Sequence, residues 1–312
     1  MAKPKDLVEA GGAFTRVLHT AVKLPLIRVN RDAYLRRALK RYCPPAQIEA
    51  AVATSPAQAG VSLDVIAKAA KSAISYETSR VTALSAAAGL PGGLAMIGTV
   101  AGDVAQYMGH VLRVAQKMAY LYSWPNLFAG DGDLDESTES ILTLFVGVMF
   151  GVHWAQGGVK KVAEMIAQNV AQKLPQRALS SGAIYPIVKR VAASIGVSMT
   201  KRSFASGVAK VVPLAGAVIS GGLSWATFMP MAKRLQKHLA SYEHAKPIGG
   251  QTWEGAPSNE PAGEEASEAA EYAEWPAEAE VVEAELLEHS PAPSPAPARP
   301  APEIQDAQIV ED

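Results

Sequence analysis

The side chains best suited to chemistry lie in the segment 103–119, where the spacing of apolar and polar residues predicts an amphipathic helix. At about 100° per residue, one polar stripe with Arg113 at its edge contains Asp103, Tyr107, His110 and Lys117. A carboxylate and an imidazole seven residues apart are about two turns from each other, too far for a direct hydrogen bond but close enough to line one cleft. The stripe therefore has three interpretations. It binds a polar headgroup, it forms ion pairs with charges elsewhere in the protein, or it is a face exposed to solvent.

Other patterns for catalysis or metal binding fail on spacing. His153 has no His, Cys or carboxylate three or four residues later to complete a zinc pair, and in its apolar surroundings we expect it to form a core hydrogen bond. Counted from Asp131, the acidic turn 131–139 and the residues after it have Glu136 at the sixth position and Leu142 at the twelfth, where a calcium loop needs glycine and glutamate. The sequence has neither a P-loop nor a Gly-x-Ser-x-Gly elbow. We therefore expect no catalytic residue, no cofactor and no metal ligand.

Charge divides the protein in two. Residues 1–247 contain 28 Lys+Arg and 14 Asp+Glu, whereas residues 248–312 contain 16 Asp+Glu and one basic residue, Arg299. A basic body is expected to seek an anionic surface. Because no nucleic-acid motif or aromatic platform accompanies the charge, the predicted partner is anionic lipid and not nucleic acid. Since Cys43 is the one cysteine, no internal disulfide can form, which fits a reducing compartment.

Periodicity predicts an all-α protein, because spacings of three and four recur throughout the body and strand alternation is rare. One helix is predicted to begin at an N-cap at Asn30 and to run to about Arg41. Another is predicted to begin near Ser62, and a third after a cap at Asp135 or Ser137.

These helices are expected to form a single compact bundle of Gly/Ala-rich helices. We expect a basic N-terminal helical region at 1–60 and a larger helical domain at 61–245. Residues 246–312 are expected to be a disordered, acidic, Pro-rich tail, since too few core-forming side chains are present to offset the entropy of ordering.

Three windows contain no Asp, Glu, Lys or Arg: 81–102, 140–159 and 211–232. Each approaches the ~20 apolar residues of a transmembrane helix, but glycine and proline interrupt them, so buried core and membrane insertion both stay open. Small residues within the windows let helix backbones approach closely. The predicted helix-packing positions are Gly89, Gly93, Gly98, Gly102, Gly147, Gly151, Pro213, Gly216, Gly221 and Gly222.

Two of these windows carry a family resemblance. The run 210–228, a proline followed by a glycine-rich helix, resembles the C-terminal signature of the EcsC family. The Gly-Leu-Pro-Gly-Gly segment at 89–93, followed by Ala-Gly-Asp at 101–103, resembles its central block, and Tyr-Leu-Tyr at 120–122 follows in the same order. The resemblance covers roughly 63–242. It implies a bacterial protein linked to an ABC exporter, with no agreed enzymatic activity and no catalytic residues to carry across.

We therefore expect a non-enzymatic, membrane-associated accessory protein of the EcsC type, linked to ABC-transporter export or to a cell-envelope function. Because the first residues lack the apolar run of a secretory signal peptide, the expected location is the cytoplasmic face of the inner membrane, peripheral or partly inserted, with the cytoplasm as the alternative. The alternative function is a soluble helical carrier that binds a lipid or another amphiphile in an apolar cavity. An enzyme that uses the polar stripe is a third hypothesis.

Overall fold

A computed structural model of the protein describes residues 4–88, 100–128, 134–168, 174–180, 182–209 and 215–247. Within these ranges the protein is helical and contains no strand, which confirms the predicted all-α class. The helices are α1 (Pro4–Lys23), α2 (Arg31–Leu39), α3 (Pro45–Ala53), α4 (Leu63–Ala88), α5 (Val100–Leu121), α6 (Glu136–Met149), α7 (His153–Ala167), α8 (Gln176–Ser180), α9 (Tyr185–Ala209) and α10 (Ala215–Ala240), followed by a 3-10 turn at Glu243–Ala245.

Several predicted positions lie outside the described residues: Gly89, Gly93, Gly98, Pro213 and nearly all of the tail. The described residues all belong to one structural unit. The boundaries predicted at 60 and 245, and the disorder of the tail, stay predictions.

Local capping places the helix starts where the sequence predicts them. The Asn30 side chain accepts a hydrogen bond from the Ala33 amide at 2.9 Å, and α2 begins one residue later. Ser62 accepts from Val65 N at 3.3 Å before α4, and Asp135 accepts from Thr138 N at 2.7 Å before α6. Each cap satisfies an amide that the first helical turn leaves without an intrahelical acceptor.

Helix α6 lies at the centre of the hydrophobic core, with Leu142, Phe145 and Met149 all fully buried. It ends at Met149, and Gly151, two residues later, adopts the left-handed conformation (φ +77°) that suits a glycine after a helix. There the Arg234 guanidinium donates to Met149 O at 2.6 Å. The window 140–159 is therefore a buried helix, a turn and the start of a second helix. No described helix is both long enough and apolar enough to cross a membrane.

The prediction of a core hydrogen bond for His153 is wrong. His153 is the first residue of α7 and is exposed, because the turn at Gly151 leads the backbone from the core to the surface. An exposed imidazole is hydrated and does not need a protein partner.

Glycine at positions 147 and 196 allows helices to pack closely. At Gly147 an added Cβ would lie 2.7 Å from Ala155 Cβ of α7 and closer still to Val191 Cγ1 of α9. At Gly196 it would collide with the Ala10 carbonyl of α1. At Gly222 an added Cβ meets no atom within 4 Å, so no close crossing is found there among the described residues. For Gly102, Gly216 and Gly221 the structure describes only the helical backbone.

The N-terminal helices share the core with the others. Phe14 and Leu18 of α1 are buried against α5 and α9. The guanidinium of Arg31, at the start of α2, donates to the carbonyls of Ala51, Val52 and Thr54 at 2.7 to 3.2 Å. These carbonyls end α3, so the Arg31 guanidinium caps that helix and joins it to α2. Cys43 lies between the two helices, 9% exposed, and burial raises its pKa to about 11.

The segment after α10 is held by aromatic packing. Trp124 is fully buried, and the His244 ring meets it edge-on with ring centroids 5.2 Å apart. Tyr242 stacks on His244, with ring centroids 5.9 Å apart. Burial lowers the pKa of His244 to about 4, so its imidazole is neutral near pH 7.

Candidate functional site

A buried charge cluster joins α4 to α5. Its members are Glu77 of α4, which is 0% exposed, and His110, Arg113 and Lys117 of α5. His110 Nδ1 lies 2.8 Å from Glu77 Oε2. Arg113 Nε donates to Glu77 Oε1 at 3.0 Å, and Lys117 Nζ donates to the same oxygen at 2.6 Å. The three basic side chains are spaced three and four residues apart, so that one helix face presents all of them to one carboxylate.

The cluster keeps Glu77 ionised. Burial opposes its charge, but attraction to Lys117, the hydrogen bond with His110 and attraction to Arg113 hold the pKa of Glu77 well below its usual range. Burial also lowers the pKa of Lys117, against the attraction of Glu77. Because a carboxylate accepts, His110 Nδ1 carries the proton in this arrangement. The buried charge is therefore balanced by donors on both oxygens of one carboxylate.

Two side chains of α5 also hold the loop between α1 and α2. The Arg113 guanidinium donates to the carbonyl of Leu26. Gln116 donates to Ile27 O at 2.9 Å and accepts from Val29 N at 2.8 Å. Arg113 therefore connects α4, α5 and the loop, so we expect a substitution in the cluster to affect the conformation of the loop.

The chemistry of the cluster is that of a structural clamp. Both Glu77 oxygens already accept hydrogen bonds from basic side chains, and a carboxylate stabilised in this way is a weak base near pH 7. Within the described ranges, no group of three or more His, Cys, Asp or Glu side chains is arranged to hold a metal ion.

Of the three stripe residues predicted to bind a headgroup or form ion pairs, the structure brings two together, and Lys117 of the same stripe joins them. His110 and Arg113 pair with Glu77, which is the ion-pair alternative, while the side chain of Asp103 lies outside the described residues. Sequence reasoning missed Glu77. Its signal is positional: the apolar stripe of α4 runs through Ala73 and Ile74 to Val81, and Glu77 occupies the position between them where an apolar residue is expected.

A second feature lies on the surface, where the first turns of α7 and α9 present aromatic rings beside cations. Trp154 is 54% exposed, and the Arg190 guanidinium lies 5.6 Å from the centre of its ring. Tyr185 is 36% exposed, with Lys189 Nζ 4.8 Å from its ring. We refer to these four residues as the aromatic-basic surface. Sequence reasoning missed it, because Trp154 lies in a window interpreted by its hydropathy alone.

No protein-family model matches this sequence, and no similar protein was found among curated sequences or solved structures.

Proposed function

We propose that the protein is a non-enzymatic helical protein that attaches peripherally to membranes rich in anionic lipid, through the aromatic-basic surface. The observation that carries the proposal is the exposure of Trp154 beside Arg190. A large aromatic ring is ordinarily well buried in a folded protein, whereas Trp and Tyr are favoured at the level of lipid headgroups. Cations next to them match the negative potential of an anionic leaflet.

The expected affinity is that of reversible adhesion. Lys189 and Arg190 near the surface each contribute about 1 kcal/mol. Transfer of the exposed part of the Trp154 ring from water adds roughly 1–2 kcal/mol. The excess of basic over acidic residues in 1–247 also favours attraction of the protein to anionic lipid.

We further propose the setting implied by the EcsC resemblance of 89–103 and 210–228: the cytoplasmic face of a bacterial inner membrane, where the protein is an accessory to an ABC exporter or to an envelope process. Support for this part is the resemblance together with the charge of residues 1–247.

The test is flotation of the full-length protein with vesicles of phosphatidylcholine alone or mixed with phosphatidylglycerol. We expect binding to the anionic vesicles that weakens as salt rises. Trp154→Ala, and separately Lys189→Gln/Arg190→Gln, should each lower the partition coefficient about tenfold or more. The matched controls are Trp225→Ala, since Trp225 is 51% exposed on α10, and Lys71→Gln/Lys233→Gln, which removes two other exposed charges.

Two results would contradict the proposal. If the parent protein stays unbound with anionic vesicles at low salt, membrane attachment is wrong. If the parent binds and Trp225→Ala weakens binding while Trp154→Ala does not, the assignment to the aromatic-basic surface is wrong.

A further inference from the structure

We infer that a cavity beside the loop between α1 and α2 binds the phosphate headgroup of an anionic phospholipid, with Leu26 entering the acyl region above it. This loop cavity is a depression open to solvent, with a volume of about 320 Å³, and is lined by Val22, Lys23, Leu24, Pro25, Leu26 and Arg28. The inference rests on the proposed membrane attachment and adds a specific headgroup site on a different part of the molecule.

The cavity combines two cations with apolar walls. A second cavity of about 140 Å³ shares Val22, Lys23 and Arg28 with it and adds His19 and Leu134. Glu139, an acidic side chain at this end, lies 3.0 Å from His19 Nε2. Arg presents a planar set of donors that suits phosphate oxygens, and Lys adds a mobile point charge. Lined in this way, the cavity suits an anionic group attached to an apolar tail.

The backbone at Leu26 is the second observation. Leu26 has φ +62°, a left-handed conformation that costs free energy for a side chain larger than glycine. It is nevertheless 49% exposed, so its side chain gains little from burial in the protein. A strained residue that holds an apolar side chain in water is typical of a binding site and not of a stabilising turn.

Side chains of α5 hold the loop in this conformation. Arg113 and Gln116 of α5 bind the carbonyls of Leu26 and Ile27. Ile27 is 7% exposed, and an added Cβ at Gly109 of α5 would lie 2.6 Å from Ile27 Cδ1. Glycine at 109 thus makes room for Ile27, and the site is preorganised, which lowers the cost of binding.

The basic sequence that contains the loop favours an anionic occupant. Residues 16–41 contain eight Lys+Arg and one acidic residue, Asp32. Arg31 and Arg36 are engaged by α3, the former at its last carbonyls and the latter with Glu49 at 2.8 Å. Lys23 and Arg28 line the cavity itself, and the Arg28 guanidinium also lies 5.3 Å from the Phe128 ring.

Lys23 has a competing structural role, because a cation in the last turn of α1 interacts favourably with the helix dipole. The experiment therefore measures thermal stability beside vesicle binding for every variant. Leu26→Asn is the central variant, since asparagine tolerates the left-handed conformation and removes the apolar side chain. It should leave the unfolding temperature unchanged or raise it, while weakening binding.

The probe is again the full-length protein with vesicles of phosphatidylcholine and phosphatidylglycerol. Leu26→Asn should lower the partition coefficient about fivefold or more, and Lys23→Gln/Arg28→Gln should lower it roughly 10- to 30-fold. The matched controls are Leu63→Asn, at a leucine that is 36% exposed on α4, and Lys71→Gln/Lys233→Gln. Both controls should stay within about threefold of the parent. Inorganic phosphate alone, at constant ionic strength, should not displace the protein, because the inferred ligand includes the acyl tail.

The outcomes separate this inference from the proposed function. Parent binding with Leu26→Asn and Lys23→Gln/Arg28→Gln both indistinguishable from the controls would overturn the loop site and leave the proposed function standing. A parent that ignores anionic vesicles would overturn both. Displacement by inorganic phosphate at constant ionic strength would assign the cavity to a free anion and overturn the lipid as ligand.

Discussion

A carboxylate in a helical core must recover its lost hydration from donors around it, and Glu77 does so with three basic side chains. Breaking a buried ion pair is far more costly than removing an exposed one, because the remaining charges lose their compensation. For the buried charge cluster this means that Glu77 neutralises Lys117, which is itself 4% exposed. The cluster therefore fixes the register of α4 against α5 through charge as well as shape.

Glu77→Gln is expected to destabilise the fold by about 3–5 kcal/mol, because the buried Lys117 and the partly buried Arg113 would lose their counter-charge. The free energy of unfolding in urea measures the effect. Glu164→Gln is the control, since Glu164 is well exposed and lies 3.9 Å from Lys160; it should change stability by less than about 1 kcal/mol. Glu77→Gln/Lys117→Met should regain part of the loss. Equal stability of Glu77→Gln and the parent would refute the clamp.

His244 gives the stability of the protein a defined dependence on pH. Its folded pKa of about 4 lies below the ordinary histidine value of 6.5, so between these values the unfolded protein binds a proton that the folded protein does not. Stability is then complete above about pH 6.5 and falls as pH falls towards 4. Glu77, whose pKa is lowered, adds a further loss below about pH 4.5.

The substitution His244→Phe keeps a ring against Trp124 and removes the titrating group. Its stability relative to the parent should be about 2 kcal/mol higher at pH 5 than at pH 8, from the ~1.36 kcal/mol carried by each unit of pKa shift. Urea unfolding at the two pH values measures this difference. A constant difference between the two proteins would show that His244 is not the titrating group.

At the residue scale the sequence yields three of the four members of the buried charge cluster. The helical period alone places His110, Lys117 and Arg113 along one side of α5. The choice of Glu77 as their partner depends on how α4 packs against α5, which is a tertiary relation that no local pattern encodes. The same holds for the aromatic-basic surface, because exposure of Trp154 depends on where α7 leaves the core.

At the scale of helices, prediction succeeds where the signal is local. Caps at Asn30, Ser62 and Asp135 mark helix starts because a side-chain oxygen satisfies amides three residues ahead. It fails at His153, where hydropathy averaged over a window hides the left-handed turn at Gly151. Composition shows that small residues permit close packing, but only the packed structure shows that Gly147 and Gly196 use it.

Gly147→Ala tests one of these crossings. Alanine favours a helix over glycine by up to about 1 kcal/mol, yet here its methyl group would overlap Val191 and Ala155. We expect a net loss of about 1–3 kcal/mol from overpacking. The matched control is Gly157→Ala in α7, where an added Cβ meets nothing within 4 Å, and it should be neutral or stabilising. Calorimetric unfolding measures the stability of both variants. An increase in stability for Gly147→Ala would refute the close crossing.

At the scale of the whole molecule, the protein has a formal charge of −1 at pH 7 although its two parts carry opposite charge. The positive charge of residues 1–247 therefore favours an anionic surface, whereas the acidic residues beyond them are repelled by it. Salt screens both effects.

A variant in which every Asp and Glu of 248–312 becomes Asn or Gln should bind anionic vesicles about tenfold more tightly or better, with a steeper dependence on salt. Flotation at two salt concentrations measures both quantities. A variant with the same tail residues in shuffled order keeps the charge and should bind like the parent. Identical binding by the neutral-tail variant would show that the tail charge does not oppose attachment.

The position of Cys43 between α2 and α3 makes this residue a native probe of transient local opening. Thiol reagents attack the thiolate, and a buried thiol with a pKa of about 11 offers very little of it near pH 7. Modification therefore proceeds through transient opening of the α2–α3 hairpin. Because Arg31 joins the two helices of that hairpin, the labelling rate of Cys43 measures how often the hairpin opens, without any engineered probe.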